Sequence, residues 1–455
     1  MHAAHFMKTR AQVFGIIFVA AAALILLASC TITRPLSPNK PCRTGQPPGG
    51  IQSAIVESNS LYSLGFVEFD DQGWYWGYRQ WETAVKPMIE SAAAESPNGV
   101  LMLVFVHGWK NNAQYDNSNV AMMRGILADL AEDEQAGSHR KVVGVYVGWR
   151  GLSAEWEPFK EISFYERKAV AERVGHGSAT QLFAELDALQ DKLNKGKSEA
   201  QHSDLILVGH SFGGALLFSA VTQILTERLA SHLVEDTNIV RSVGDMVILV
   251  NPAFEAARYQ NLFREGNAVG YQAEQKPVLS IFTSAADSAT GFWFPVGRYF
   301  GTRFERVRGN ANYFQPGQKS SGPSQGKAIL DSVGHFRPYL THDLIYTNLS
   351  TNQPQGAALS TLAAIETNST RAVHFRTDGG ARARTATNTI SYWFQGTQPG
   401  AAYLLQSRAG YRDPNPFLNV AVDKQIIRDH DDINNTNFVK FLKDYIVFWK
   451  TKVSP

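Results

Sequence analysis

A serine set between glycines, Gly209-His210-Ser211-Phe212-Gly213, is the pattern in this chain best suited to covalent chemistry. A serine hydroxyl is a weak nucleophile until a base takes its proton, so it needs a turn that exposes the side chain to both base and substrate. The flanking residues predict such a turn. Leu205 to Val208 (LILV) reads as a strand, and Gly213-Gly214-Ala215-Leu216-Leu217 reads as the start of a helix. Side chains in place of the two glycines would collide with the crossing strand and helix. The helix would also aim its free N–H groups and positive dipole end at the serine. A Gly-Ser turn without chemistry is the bland alternative, and the strand–turn–helix context argues against it. The chain has no HExxH, no paired CxxC and no GxxxxGK[ST], so neither a metal nor a cofactor is expected.

The elements around the serine alternate between apolar strand-like runs and longer helix-like runs, which predicts a parallel sheet with crossover helices. Strands are expected at Phe66 to Phe69, Gly99 to Val106, Lys141 to Val147, Met246 to Val250, Val278 to Phe282 and Phe417 to Ile427. Helices are expected at Asn117 to Ala131, within Ser163 to Leu193, from Gly213 to Leu229, and from Phe438 to Trp449. Between Gly291 and Asn415 the periodicity fails, as in an inserted subdomain or lid. There, Phe292-Trp293-Phe294-Pro295 reads either as core or as a lipid-facing edge.

With these motifs in this order the chain resembles the α/β-hydrolase family, over residues 61–290 and 416–455. The resemblance implies a mostly parallel central sheet flanked by helices, here with a long insertion before the last strand. It implies an oxyanion loop at His107-Gly108-Trp109, with the backbone N–H groups of Trp109 and Phe212 as donors and His107 structural. It places the acid after the VLSIF strand at Asp287, with Glu255, after the MVILV strand, as the alternative acid. It places the base between the last strand and the last helix at His430, with His335 and His342 in the insertion as alternative bases. Ser211, Asp287 and His430 would then form a triad. Asp429, Asp431 and Asp432 stand close in sequence as further carboxylates.

The N-terminus carries a separate signal. Lys8 and Arg10 precede an apolar run, Val13 to Leu27, that is short for a spanning helix. Leu27-Ala28-Ser29-Cys30 then resembles the lipobox of bacterial lipoproteins. That resemblance implies lipidation of Cys30, a body in the bacterial cell envelope, and, with Thr31 following, the outer membrane rather than the inner. A plain uncleaved anchor is the alternative. The expected organisation is a signal peptide at 1–29, a Pro- and Gly-rich tether at 30–60, the core at 61–290 and 416–455, and the insertion at 291–415.

Composition narrows the rest. The 455 residues are 44% hydrophobic and 18% charged, which is neither a disordered nor a polytopic membrane composition. Net charge is +2, and Lys8 and Arg10 account for it, so no basic stripe points to nucleic acid. Two cysteines cannot form a disulfide framework. The expected function is a membrane-anchored serine hydrolase acting on carboxylic esters, including lipids, with the membrane as partner through Cys30. An amidase, thioesterase or acyltransferase on the same residues is the alternative enzyme. A non-catalytic envelope lipoprotein is the alternative outside catalysis.

Overall fold

Long runs of apolar residues at consecutive positions can be buried only where both faces of a strand are covered. The computed structural model shows this at β3 (Val100–Val106), β5 (Asp204–His210), β6 (Met246–Val250) and β7 (Leu279–Ser284). It describes residues 43, 55–77, 80–152, 159–235, 239–302, 324–348, 373–377, 389–398, 401–412 and 414–451. All lie within one compact unit, Cys42–Pro455. Cys30, the signal segment and most of the expected tether fall outside the described residues.

Among the described residues twelve strands form one sheet. The other eight are β1 (Val56–Ser58), β2 (Tyr62–Glu68), β4 (Lys141–Gly148), β8 (His342–Asn348), β9 (Val373–Thr377), β10 (Thr389–Gln395), β11 (Ala401–Ser407) and β12 (Phe417–Val422). Their order is β1-β2-β4-β3-β5-β6-β7-β12-β8-β11-β10-β9. From β2 to β8 every pairing is parallel, while β1 and the β11, β10 and β9 ribbon pair antiparallel.

Two differences from expectation follow. The chain joins the sheet at Val56, inside the stretch read as tether, because β1 pairs with β2 in register Val56↔Gly65. The 291–415 stretch, expected as an insertion or lid, also builds sheet. Its β8 pairs with β12, and three more strands continue the same edge.

The helices are α1 (Lys86–Ala94), α2 (Ser118–Ala136), α3 (Phe159–His176), α4 (Ser178–Asn194), α5 (Phe212–Glu235), α6 (Ala256–Ala268), α7 (Phe294–Gly301), α8 (Gln325–Ala328) and α9 (Thr436–Thr451). Strand alternation decides which helices meet which residues. Val104, Leu207 and Leu249 face the layer of α1 and α3 to α6, whereas Phe105, Ile206 and Ile248 face α2 and α9. The α9 sequence shows why it docks. Phe438, Phe441, Tyr445 and Trp449 recur at helical spacing and are all buried on one stripe. Each such burial stabilises by about 2 kcal/mol. Asn117 caps α2 by accepting from the Asn119 N–H. Among the described residues no helix is long and apolar enough to cross a membrane.

Candidate active site

Strands β5, β6, β7 and β12 are neighbours and parallel, so their C-terminal ends deliver their following loops to one place. Ser211 follows β5 directly and has φ +56°, a left-handed conformation that a non-glycine residue enters at a cost. The turn holds because Ser211 N–H donates to the Val250 carbonyl at 3.1 Å and the Ser211 carbonyl accepts from Ala215 and Ala253. Gly213 is obligatory for a steric reason. A Cβ there would lie 2.1 Å from the Val106 carbonyl oxygen and 2.4 Å from that of His107. Gly108 is also tight, though less so, since its Cβ would sit 2.8 Å from the Ser211 Cβ. The loop after β3 therefore runs against the serine.

Ser211, His430 and Asp287 form one hydrogen-bonded line. The Ser211 hydroxyl donates to His430 Nε2 at 2.7 Å, and His430 Nδ1–H donates to Asp287 Oδ2 at 2.9 Å. Asp287 also accepts from the Thr290 N–H at 3.1 Å and from the Thr290 hydroxyl. Ser211 and Asp287 are buried, and His430 is partly exposed at the floor of a cleft of about 1240 Å³. Trp109, Lys110, Trp293, Asp429 and Asp431 are among its walls.

Phe212 opens α5, so its N–H is among the first helical amides, which have no acceptor in the helix. Trp109 follows Gly108 on the same cleft, and the rings of Trp109 and Phe212 both pack on Phe164.

Residues 83–293 match the family model described as an α/β hydrolase of unknown function. The fold is that of an α/β hydrolase. No curated protein matches the chain. Among solved structures, phospholipase PlaB from Legionella pneumophila in complex with thio-NAD matches at 13% identity and TM-score 0.24, over 54% of this chain and 45% of that one. The same phospholipase without that ligand matches at 11% and 0.25, over 55% and 47%. The chain spans less than half the length of those structures, and a likeness this loose adds no weight to any activity.

Within this hydrolase fold the alternative residues sit elsewhere. Glu255 is buried between Lys168 (2.8 Å) and Arg298 (2.7 Å), an ion-pair cluster that pins α7, and it does not meet His430. His342 is buried at the start of β8, bonded to the Thr341 hydroxyl and set edge-on to Tyr411. His335 packs its ring within 3.1–3.4 Å of where a Gly291 Cβ would stand and hydrogen-bonds the Asp287 backbone, while the Ser211 hydroxyl is bonded to His430. His107 bonds the Gly108 carbonyl through Nδ1 and accepts from Trp149 N–H through Nε2, and it stacks on Trp149. Asp432 pairs with Arg428, away from the line. Of the aromatic cluster, Phe294 is buried, while Phe292 and Trp293 are 59% and 63% exposed beside the cleft.

Two residues that position His430 were not anticipated from sequence. Asn251, buried after β6 with φ +46°, donates through Nδ2 to the His430 carbonyl (2.9 Å) and the Asp429 carbonyl (3.3 Å), and accepts from Ser284 N–H (2.9 Å). His210 Nε2–H donates to the same His430 carbonyl at 2.9 Å. The signal for both was adjacency: each ends or follows a strand whose neighbour carries a site residue.

Electrostatics follow from these contacts. Burial alone would lower the His430 pKa, but Asp287, by hydrogen bond and charge, with Asp431 and Asp429 behind it, raises it above its ordinary value. Burial alone would raise the Asp287 pKa, and His430 and Thr290 overcome it and hold the carboxyl low. Burial pushes His210 and His107 down to about 4, so both are neutral. Ligand-type atoms of His210, His430 and Asp431 lie within 4.8 Å of one another. Both His430 nitrogens and His210 Nε2 are engaged, so a cation there would have to break the hydrogen-bonded line.

Proposed function

We propose that the protein is a serine hydrolase that cleaves carboxylic esters through an acyl-enzyme. The observation that carries this is the single line of hydrogen-bonding contacts from Ser211 through His430 to Asp287, in the order that acyl transfer needs. Ser211 Oγ attacks the carbonyl carbon as its proton passes to His430 Nε2. Asp287 keeps the imidazole oriented and stabilises its cation. The resulting oxyanion is bound by the N–H groups of Phe212 and Trp109, each worth roughly 3 kcal/mol. Collapse expels the alkoxide, which takes the proton from His430 and leaves the acyl group on Ser211. Water then gives a proton to His430, attacks the acyl carbon, and releases the acid as the proton returns to Ser211.

A fluorophosphonate probe reacts only with an activated serine and tests the whole assignment. Labelling of the wild type, lost in Ser211→Ala and strongly slowed in His430→Ala, supports it. A folded wild type that does not label would point instead to a binding module. Lipidation of Cys30 and an envelope location belong to the same proposal and are supported by the Leu27-Ala28-Ser29-Cys30 segment. Metabolic labelling with an alkyne fatty acid in a bacterial host should mark the wild type and not Cys30→Ala.

A further inference from the structure

Leu103 and Val208 sit in the middle of central strands, yet both are only half-buried. They point to the sheet face covered by α2 and α9, and those two helices do not close over them. Between the helices runs an apolar slot of about 90 Å³. One wall is Met122, Ile126 and Leu130 of α2, four residues apart, and the other is Val439, Leu442 and Ile446 of α9. At one end, Met122, His210 and Ile433 line both this slot and the cleft over Ser211.

We infer that the slot between α2 and α9 is the acyl-chain subsite, taking a short unbranched acyl group; this rests on the ester-hydrolase reading above. Apolar walls favour methylenes over any polar group, because each one leaves water without losing a hydrogen bond. Size selects shape. An apolar cavity of about 150 Å³ admits a benzene ring, and this slot is smaller, so it suits a linear chain and excludes an aromatic acyl group. Met122, His210 and Ile433 bound both spaces, and His210 is the residue before Ser211, so the slot adjoins the cleft at the end nearest the carbon that Oγ attacks. The wider and more polar cleft, with Lys110, Asn111 and Asp431 on its walls, is then left for the alcohol portion.

The test is kcat/KM on p-nitrophenyl acetate, propionate, butyrate, hexanoate and benzoate. Each methylene from acetate to butyrate should raise kcat/KM up to about fourfold, and benzoate should fall below acetate. Ile126→Trp and Ile446→Trp block the slot from opposite walls. Each should cut the butyrate-to-acetate ratio at least about fivefold, with Ser211 still labelled by a small fluorophosphonate. Ile126→Ala, which widens the slot, should raise the hexanoate-to-butyrate ratio and serves if a tryptophan variant does not fold. A flat chain-length series in a wild type that labels at Ser211 overturns the inference, as do tryptophan variants with the wild-type ratio. A wild type that fails to label refutes the ester-hydrolase reading itself and this subsite with it.

Discussion

Asn251→Ala removes one buried side chain and disturbs three things at once. The Ser284 N–H loses its acceptor inside the protein, the His430 and Asp429 carbonyls lose a donor, and alanine must hold φ +46°. A buried amide left without a partner costs about 1–3 kcal/mol, and a typical lost hydrogen bond about 1 kcal/mol more. The left-handed backbone costs alanine about 1 kcal/mol that asparagine largely avoids. The expected destabilisation is about 4 kcal/mol. Asn251→Gly should lose about 1 kcal/mol less, because glycine adopts that φ freely. His210 still holds the His430 carbonyl, so the loop shifts rather than detaches. A shift near 1 Å should slow fluorophosphonate labelling about 100-fold. Urea unfolding gives the stabilities and time-resolved labelling gives the rates. An Asn251→Ala protein with wild-type stability and labelling rate would refute the reasoning, and a glycine variant less stable than alanine would remove the backbone part of it.

Other expectations follow from the same geometry. Asp287→Asn should lower activity by about 10³ to 10⁴, and the pH profile should show why. Wild-type kcat/KM should fall as pH drops through a His430 pKa above its ordinary 6.5, and the variant's acid limb should move lower. The stability that Asp287 contributes is present above the unfolded-state pKa near 3.9. It is lost as pH falls through the depressed folded value, so the difference between wild type and Asp287→Asn should vanish in acid denaturation series. Glu255→Gln should destabilise by about 3 kcal/mol by uncoupling Lys168 and Arg298, yet the folded fraction should label like wild type; loss of labelling there would return Glu255 as the acid. Gly213→Ala should cost about 3 kcal/mol or more, read as a drop in soluble yield and melting temperature.

The residues of the hydrogen-bonded line were legible because each follows an apolar strand, and such runs announce themselves without neighbours. Met246–Val250 has the bounds expected of it. The strand expected to reach Ile427 stops at Val422, since Asp423 turns the chain by accepting from Gln425 N–H, while Ile426 and Ile427 stay apolar as buried loop residues. The segments of β8, β10 and β11, HDLIYTN, TISYWFQ and AAYLLQS, mix polar and apolar residues and so break the apolar periodicity. Edge ribbons need no continuous apolar run. For Asn251 the place after a strand next to β5 was the one signal. Its role lies in a backbone angle and in two carbonyls on a loop far along the chain, and residue type encodes neither.

The order of the strands also sets a schedule. Asp287 and His430 are 143 residues apart, and Ser211 and His430 are 219 apart. At synthesis rates of about 5–20 residues per second, the serine and its turn leave the ribosome about 10 to 40 seconds before the histidine exists. When β12 arrives it must insert between β7 and β8, pairing along both edges at once. That long-range closure is the slow kind of step in folding. On the proposed mechanism, the nucleophile is therefore born inert, and the closing of one seam in the sheet both completes the fold and switches on the chemistry.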